Sequence, residues 1–564
     1  MFSSRIACHR TQYLKLLLLH WRSRSTDSRL FDGVRAFEDI PEPNGWKLMH
    51  DLFTKTERFA KGYKLFERLF EELGPIYKES VLLSPKTTVH VIEPEDIEKV
   101  FRAEGKYPRR LQLDIWFEYR KRRNYFPGLI LLDGEEWNRV RQKIAPKMMR
   151  PKIVKENIAN FNAVSKDAVA RLAKLYDASE QNDYMPDLEK EVNRWSLEAS
   201  TIIMIIIIVV VIVINIVTVI AIIVIVVVVD GATTTTITST IIIIIVIFIS
   251  LGIGTVAFDS RFGLYEDTPP QEALDFTKAV NDFFELSQQL LYSILNRVAL
   301  KYIDTPKYKK FSKNYDTILD IGQRFVEKKM MEVKQMTEKG IDLADAQVVP
   351  LLTYLLMKED NTPEEVNALA IDVVFAGVDT TSSATLWWLY NLARFPEVQE
   401  NLYQEIQSVL GKDDDVLPSH LAKLRYLKAC LKESMRLNPT FPVMSRILEE
   451  DVVLSGYNVP ANTLVVLEFY ATTRSDKYFK DPLDFKPERW LRESKEVHPF
   501  SHLQFGFGPR MRVVSRVAEL EMYVFVCKLL QRFRLAYHHE PLDLRHKLLT
   551  VPDQPVKIKF VDRL

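Results

Sequence analysis

The chain has 564 residues, 47% apolar and 27% charged, with 76 Lys and Arg against 75 Asp and Glu, a composition that excludes an intrinsically disordered protein and allows a large buried core. The formal net charge of +1 gives no electrostatic reason to expect a nucleic-acid partner. Three scattered cysteines, Cys8, Cys430 and Cys527, exclude a disulfide framework or a zinc site and suit a reducing compartment.

In chain order, residues 1–39 read as a leader. Arg5, Arg10, Lys15, Arg22 and Arg24 precede the first acidic residue, Asp27, and the Leu16–Leu19 run is too short to span a bilayer. That is the composition of a mitochondrial transit segment; the plainer alternative is a disordered tail. A strand signal covers Val81–Ile92. Gly128–Gly134 then leads into a helix that carries Trp137 and Arg141 one turn apart, an indole N–H and a guanidinium able to clamp an anion, or else ordinary helix surface. Helical periodicity runs over Pro151–Leu175.

Residues 200–252 break the pattern. Between 201 and 250 the chain holds 33 Ile or Val and no leucine. Hydropathy alone would make 202–229 a membrane span. Spanning helices are normally rich in leucine, whereas this mix is what drift in a simple codon repeat yields. The expectation is therefore a retained intron or a gene-structure artefact that interrupts a single domain over 40–564, with a membrane anchor as the alternative.

Helical periodicity resumes over Pro270–Leu300, Tyr308–Gly340 and Pro363–Leu410, the last opened by Thr362 as N-cap with proline in the first turn. Within it lies Ala376-Gly377-Val378-Asp379-Thr380-Thr381. Glycine and threonine are locally unfavourable inside a helix, which fits either a distortion that admits a ligand or close helix packing through small residues. Glu433 and Arg436 share a helical face, and an isolated pair of this kind is usually solvated surface. Arg489, in Pro487-Glu488-Arg489-Trp490, could complete a buried three-residue network with them. A second strand region spans Val452–Phe469. Last, Phe505-Gly506-Phe507-Gly508-Pro509-Arg510 forms a tight loop, read as a ligand loop or a simple turn, before a helix over Ser515–Leu530. The fold class is mainly α with a small β region.

Taken together and in this order, these motifs resemble the cytochrome P450 family, the haem-thiolate monooxygenases. The resemblance implies a helical prism around haem b, with Trp137, Arg141, Arg510 and the further cation Arg446 on the propionates and Phe505 in the haem loop. It implies that Asp379 and Thr380 guide protons to dioxygen, and that Glu433, Arg436 and Arg489 lock the core. Tyr426–Glu433 and the region of Arg516 resemble the mitochondrial class, in which Lys428, Lys432 and Arg516 would dock an acidic ferredoxin served by its reductase. The wording of Tyr107–Leu111, Leu427–Leu437 and Arg261–Leu264 is similar to that of vitamin D 24-hydroxylase and related animal sterol hydroxylases. The expected setting is the matrix side of the mitochondrial inner membrane with peripheral membrane association, and the expected substrates are O2 and a lipophilic, sterol-like or xenobiotic molecule.

The chain departs from that family where the chemistry is centred. After Met511 the pattern requires Cys-x-Gly, and this chain has Arg512-Val513-Val514. Arginine stays protonated and offers no lone pair, so Arg512 cannot replace the axial thiolate. Cys527, fifteen residues on, lies roughly 22 Å down the next helix and cannot substitute. Val514 is expected to strain the turn or crowd the haem. Replacements at 512, 514 and Ser515 each arise from a single nucleotide change, as expected of a faulty read or a decaying gene. The chain as written is expected to be inactive, with a haem-dead binding scaffold as the alternative.

Overall fold

In a computed structural model, residues 33–45, 48, 61–80, 87–151, 157–177, 184–185, 187–202, 264–266, 268–291, 304–338, 361–491, 497–547 and 549–563 are described. The proposed leader up to residue 32, the Ile/Val segment beyond Ile202, the Arg261–Gly263 stretch and the 81–86 part of the first strand signal lie outside them.

Helices dominate the described residues. The longest apolar one, Pro363–Arg394, is capped by Thr362, whose hydroxyl accepts from Glu365 N at 3.2 Å. It is buried on nearly every face, which explains its lack of a polar stripe and makes it a core helix although it is long and apolar enough to cross a membrane. The helical signal over Pro363–Leu410 resolves into two helices, Pro363–Arg394 and Pro396–Val409. Pro396 has no amide to donate and disfavours helical backbone at Phe395, so the chain turns there.

A four-stranded sheet sits beside the helices. Its strands are β1 (Ile76–Glu79), β2 (Thr88–Val91), β3 (Met444–Ile447) and β6 (Leu464–Leu467), in the order β1-β2-β6-β3. β2 and β6 run parallel, with Val89 opposite Val465, and the outer pairings are antiparallel. Between β3 and β6 a small hairpin joins β4 (Val452–Leu454) to β5 (Tyr457–Val459). The strand region expected over Val452–Phe469 holds three short strands and the start of a helix, Phe469–Arg474. Ser455 and Gly456 both take positive φ at the hairpin turn, and Asn462 does so before β6. Turn residues, rather than apolar alternation, set those boundaries. β3 had no sequence signal of its own, because a four-residue edge strand is too short for periodicity to register.

The main core joins the Pro363–Arg394 helix to helices Leu188–Ile202, Arg425–Leu437 and Ser515–Arg532. Gly377 has a precise part in it. A Cβ there would lie 2.5 Å from Ser200 Oγ, and Ser196 Oγ donates to Val378 O at 2.9 Å. Of the two readings of the Ala376–Thr381 segment, close packing through a small residue describes Gly377.

Candidate functional site: a loop arginine facing a core threonine

The loop after Phe505 closes on itself through backbone bonds from Gly506 N to Leu503 O (2.9 Å), Met511 N to Gly508 O (3.1 Å) and Arg512 N to Phe505 O (2.9 Å). Gly506 and Gly508 have φ of +77° and +74°, and a Cβ on Gly508 would collide with the Glu104 carboxylate, so the loop depends on both glycines. Of the two effects expected of Val514, strain in the turn is absent. Its φ is −92° and its side chain is buried in the main core, so the turn accommodates valine without left-handed strain.

The loop faces the Pro363–Arg394 helix across a narrow, partly open cavity with a volume of about 10 Å³, room for roughly one water. Thr380, Met435, Thr440, Phe441, Gln504 and Arg512 contribute to its wall. Thr380 Oγ1 donates to Ala376 O at 2.6 Å, a back-bond that turns the hydroxyl's lone pairs outward. Arg512 Nη2 donates to that hydroxyl from the opposite side. The arginine side chain therefore bridges the two elements. Burial lowers its pKa to about 10, partly offset by the charge of Glu521. Glu521, 1% exposed, is itself pushed up to about 8 by burial, with Arg512 pulling it back. Neither pairs at ion-pair distance with an opposite charge among the described residues. Asp379, one residue before Thr380, is raised by burial to about 7.

Beside the loop stands a wall of arginines. Arg510 pairs with Asp133 and donates to Pro108 O and Leu132 O at 2.6 and 2.7 Å. Arg446 Nε donates to Glu104 Oε2 at 2.5 Å. Arg141 donates to Met511 O, and Arg110 to Ile130 O, each at 2.6 Å; neither has a carboxylate at ion-pair distance among the described residues. Burial and the neighbouring cations push Arg110 down to about 9 and Arg141 to about 10. Trp137, 2% exposed, lies under the guanidiniums of Arg141 and Arg510, at 5.5 and 4.9 Å from its ring centre. This wall carries more positive charge than Glu104 and Asp133 neutralise, and so it suits an anion. The sequence brought out Trp137, Arg141, Arg446 and Arg510 but not Arg110, which lies in the quoted Tyr107–Leu111 stretch without a motif of its own.

A third group braces the loop from behind. Glu433 and Arg436, both 0% exposed, form a two-pronged pair at 2.9 Å on each prong. Arg489 Nε and Trp490 Nε1 donate to the same carboxylate at 3.0 and 2.8 Å. Arg436 also donates to Thr473 O, Pro482 O and Asp484 O. All hydrogen-bonding capacity around Glu433 is used, the condition under which buried charge is tolerated.

On the outer face, Lys428 and Arg516 are exposed, while Lys432 lays its ammonium 4.1 Å from the centre of the Trp490 ring and is half buried. All three surround Glu519, whose carboxyl is raised by burial and pulled back by these cations. The docking surface expected from sequence therefore contains a carboxylate that no motif announced.

A haem requires an anion-accepting rim and an electron-donating axial ligand. The arginine wall fits the rim. The loop supplies no such ligand: at the position where the sequence pattern expects it, Arg512 directs its guanidinium at Thr380, and among the described residues the cysteines Cys430 and Cys527 are 0% exposed within the core, away from the cavity wall. Burial pushes both thiols up, which also disfavours the thiolate.

Comparison with known proteins gives the frame for this geometry. The chain matches the "Cytochrome P450" family model over residues 40–205 and 220–560. It is 30% identical over 541 residues to cytochrome P450 10 of Lymnaea stagnalis, covering 94% of this chain and 86% of that one. It is 28% identical to the mitochondrial 1,25-dihydroxyvitamin D(3) 24-hydroxylase of Rattus norvegicus (94% and 91% covered) and 27% identical to the mitochondrial cholesterol side-chain cleavage enzyme of Oncorhynchus mykiss (93% and 90%). With the mainly helical fold and the site's place between a core helix and a glycine loop, these findings show that the chain belongs to the cytochrome P450 family, among the monooxygenase-type oxidoreductases.

Proposed function

We propose that this protein has the scaffold of a mitochondrial monooxygenase for lipophilic, sterol-like substrates, fed electrons by a ferredoxin, and that in the chain as written Arg512 abolishes oxygen activation. The names of the relatives support the substrate class and the compartment: several are mitochondrial hydroxylases of vitamin D or sterols. Exposed Lys428 and Arg516 support an acidic electron-transfer partner. The arginine wall supports haem b as the ancestral group, held at its propionates by Arg141, Arg446, Arg510 and Trp137.

The observation that carries the inactivity is the Arg512–Thr380 contact. The residue in the axial place is a cation, and it engages the hydroxyl otherwise assigned, with Asp379, to proton delivery. Two roles are thus removed by one side chain. The test compares the purified chain with the double variant Arg512→Cys, Val514→Gly after exposure to haemin. The expected result is a thiolate-type reduced-CO Soret band, with ferredoxin-dependent turnover, in the double variant alone. A thiolate-type band in the parent chain would overturn the proposal. Sequencing of the mature transcript across codons 190–520 checks Arg512, Val514 and the Ile/Val insert independently.

A further inference from the structure

We infer that Arg120 and Asp372 are positioning residues for the arginine wall: through the one-turn helix Gly128–Leu131 they hold in place the backbone carbonyls on which Arg110 and Arg510 rest. This role deepens, and rests on, the reading of that wall as the cradle of an anionic group.

A helix of four residues cannot satisfy its own backbone, since its amides and carbonyls all belong to the unpaired turns at either end. It is also far too short to hold itself together in water. Here both sets of groups find partners outside it. Ile130 N donates to Asp372 Oδ2 at 3.0 Å, with the Leu129 amide as a second backbone donor to the same carboxylate. Ile130 O accepts from Arg110 Nη2 at 2.6 Å, and just past the turn Leu132 O accepts from Arg510 Nη2 at 2.7 Å. One peptide residue, Ile130, therefore touches the core carboxylate with its amide and the wall with its carbonyl. Arg110 has no carboxylate at ion-pair distance among the described residues, so this carbonyl is the partner that orients it.

Asp372 is held in turn by Arg120. The two are 3% and 1% exposed and meet at 2.7 Å. Arg120 Nη1 also donates to Phe126 O at 3.3 Å and Pro127 O at 2.5 Å, which fixes the chain as it enters the turn. Its Nε donates to Tyr315 OH at 2.6 Å and so ties the pair to the helix Pro306–Glu338. Space is closed as tightly as charge. Gly128 has a φ of +72°, and a Cβ on it would lie 2.3 Å from both Arg120 Nη1 and Asp372 Oδ2. An ion pair that served stability alone would need no such connection. This one is separated from the wall by a single residue, and its bonds to the turn are charge-assisted, the stronger kind.

The test has two readouts. Amide exchange followed by mass spectrometry compares the full-length protein with Asp372→Asn, which removes the charge at constant shape, and with Arg120→Lys, which keeps the charge and loses the fork. Both variants are expected to exchange the 128–133 segment about tenfold faster or more, the scale of one lost charge-assisted bond, with the Arg425–Leu437 helix unchanged. The second readout separates positioning from bracing. In the variant Arg512→Cys, Val514→Gly, haemin and haemin dimethyl ester, whose carboxylates are masked, are titrated with and without Asp372→Asn. The free acid is expected to bind about tenfold or more tighter than the ester, and Asp372→Asn to shrink that preference to under about threefold while leaving the reduced-CO band where it was. Arg120→Lys takes the place of Asp372→Asn if the asparagine variant fails to fold. Unchanged exchange in the folded variants overturns the inference. Faster exchange with the preference intact leaves a merely structural brace and overturns it too. Absence of any preference before Asp372 is altered defeats the cradle reading and this inference with it, whereas a preference that survives Asp372→Asn defeats this inference alone.

Discussion

Arg436 and Arg512 both pack against the core helices, Arg436 fully buried on a helix and Arg512 half-buried in the loop before one, yet they sit in opposite electrostatic conditions. Arg436 reaches both oxygens of Glu433 and three backbone carbonyls. Arg512 reaches one hydroxyl, and the nearest influence of opposite sign, Glu521, is held largely neutral by its own burial. The first arrangement is a brace: every donor is used, and removing a partner strands a charge. The second is a charge without a matched counter-ion, the arrangement expected where a residue has replaced another without rebuilding its surroundings.

Deleting a partner on the braced side gives the largest expected effect. Glu433→Ala strands Arg436 and Arg489 and is expected to lower stability by about 3–5 kcal/mol in urea unfolding. The opposite sign is expected on the other side: Arg512→Met removes a half-buried cation that has no carboxylate at ion-pair distance and should raise stability slightly, by about 1 kcal/mol or less. If both substitutions destabilise equally, the contrast between the two arginines is broken.

A smaller effect comes from pH. The Glu521 carboxyl is raised from 4.5 to about 8, so the native state retains a proton that the unfolded chain releases. Its contribution to stability is therefore complete below about 4.5 and is lost as pH rises through about 8. Asp379, raised from 3.8 to about 7, acts with the same sign. Glu521→Gln should flatten the decline between those limits by up to about one proton's worth of slope while leaving the Asp379 part in place, as measured by urea midpoints across the series. The smallest effect is expected outside the core. Lys428→Ala should change stability by less than about 0.5 kcal/mol, yet slow association with an acidic ferredoxin several-fold at low ionic strength and hardly at all at high salt.

Much of this contrast is legible in the sequence. Glu433, Arg436 and Arg489 can be grouped because helical spacing and a proline-bounded loop bring three charged residues of complementary sign together. Arg512 stands out because a loop pattern demands a different element there. Other features depend on distant neighbours. Arg110 and Glu519 carry no motif, and their significance arises from cations more than eighty residues away in sequence or across a helix face. The mildness of Val514 is equally invisible in the sequence, since the strain expected of it depends on a backbone angle, and its φ is −92°.

The sequence by itself determined the family, the helical class and the absence of a cysteine after Met511, and it named the residues proposed for the cradle, because each follows from residue identity at fixed spacing, and no folding can give arginine a lone pair. Only the tertiary structure decided where that arginine goes. It reaches across the cavity to Thr380, while Arg446 and Arg510 are already occupied by Glu104 and Asp133 and Arg110 and Arg141 are not. The state of a buried charge depends on which partners arrive within a few ångströms, and those partners come from segments that local sequence does not relate.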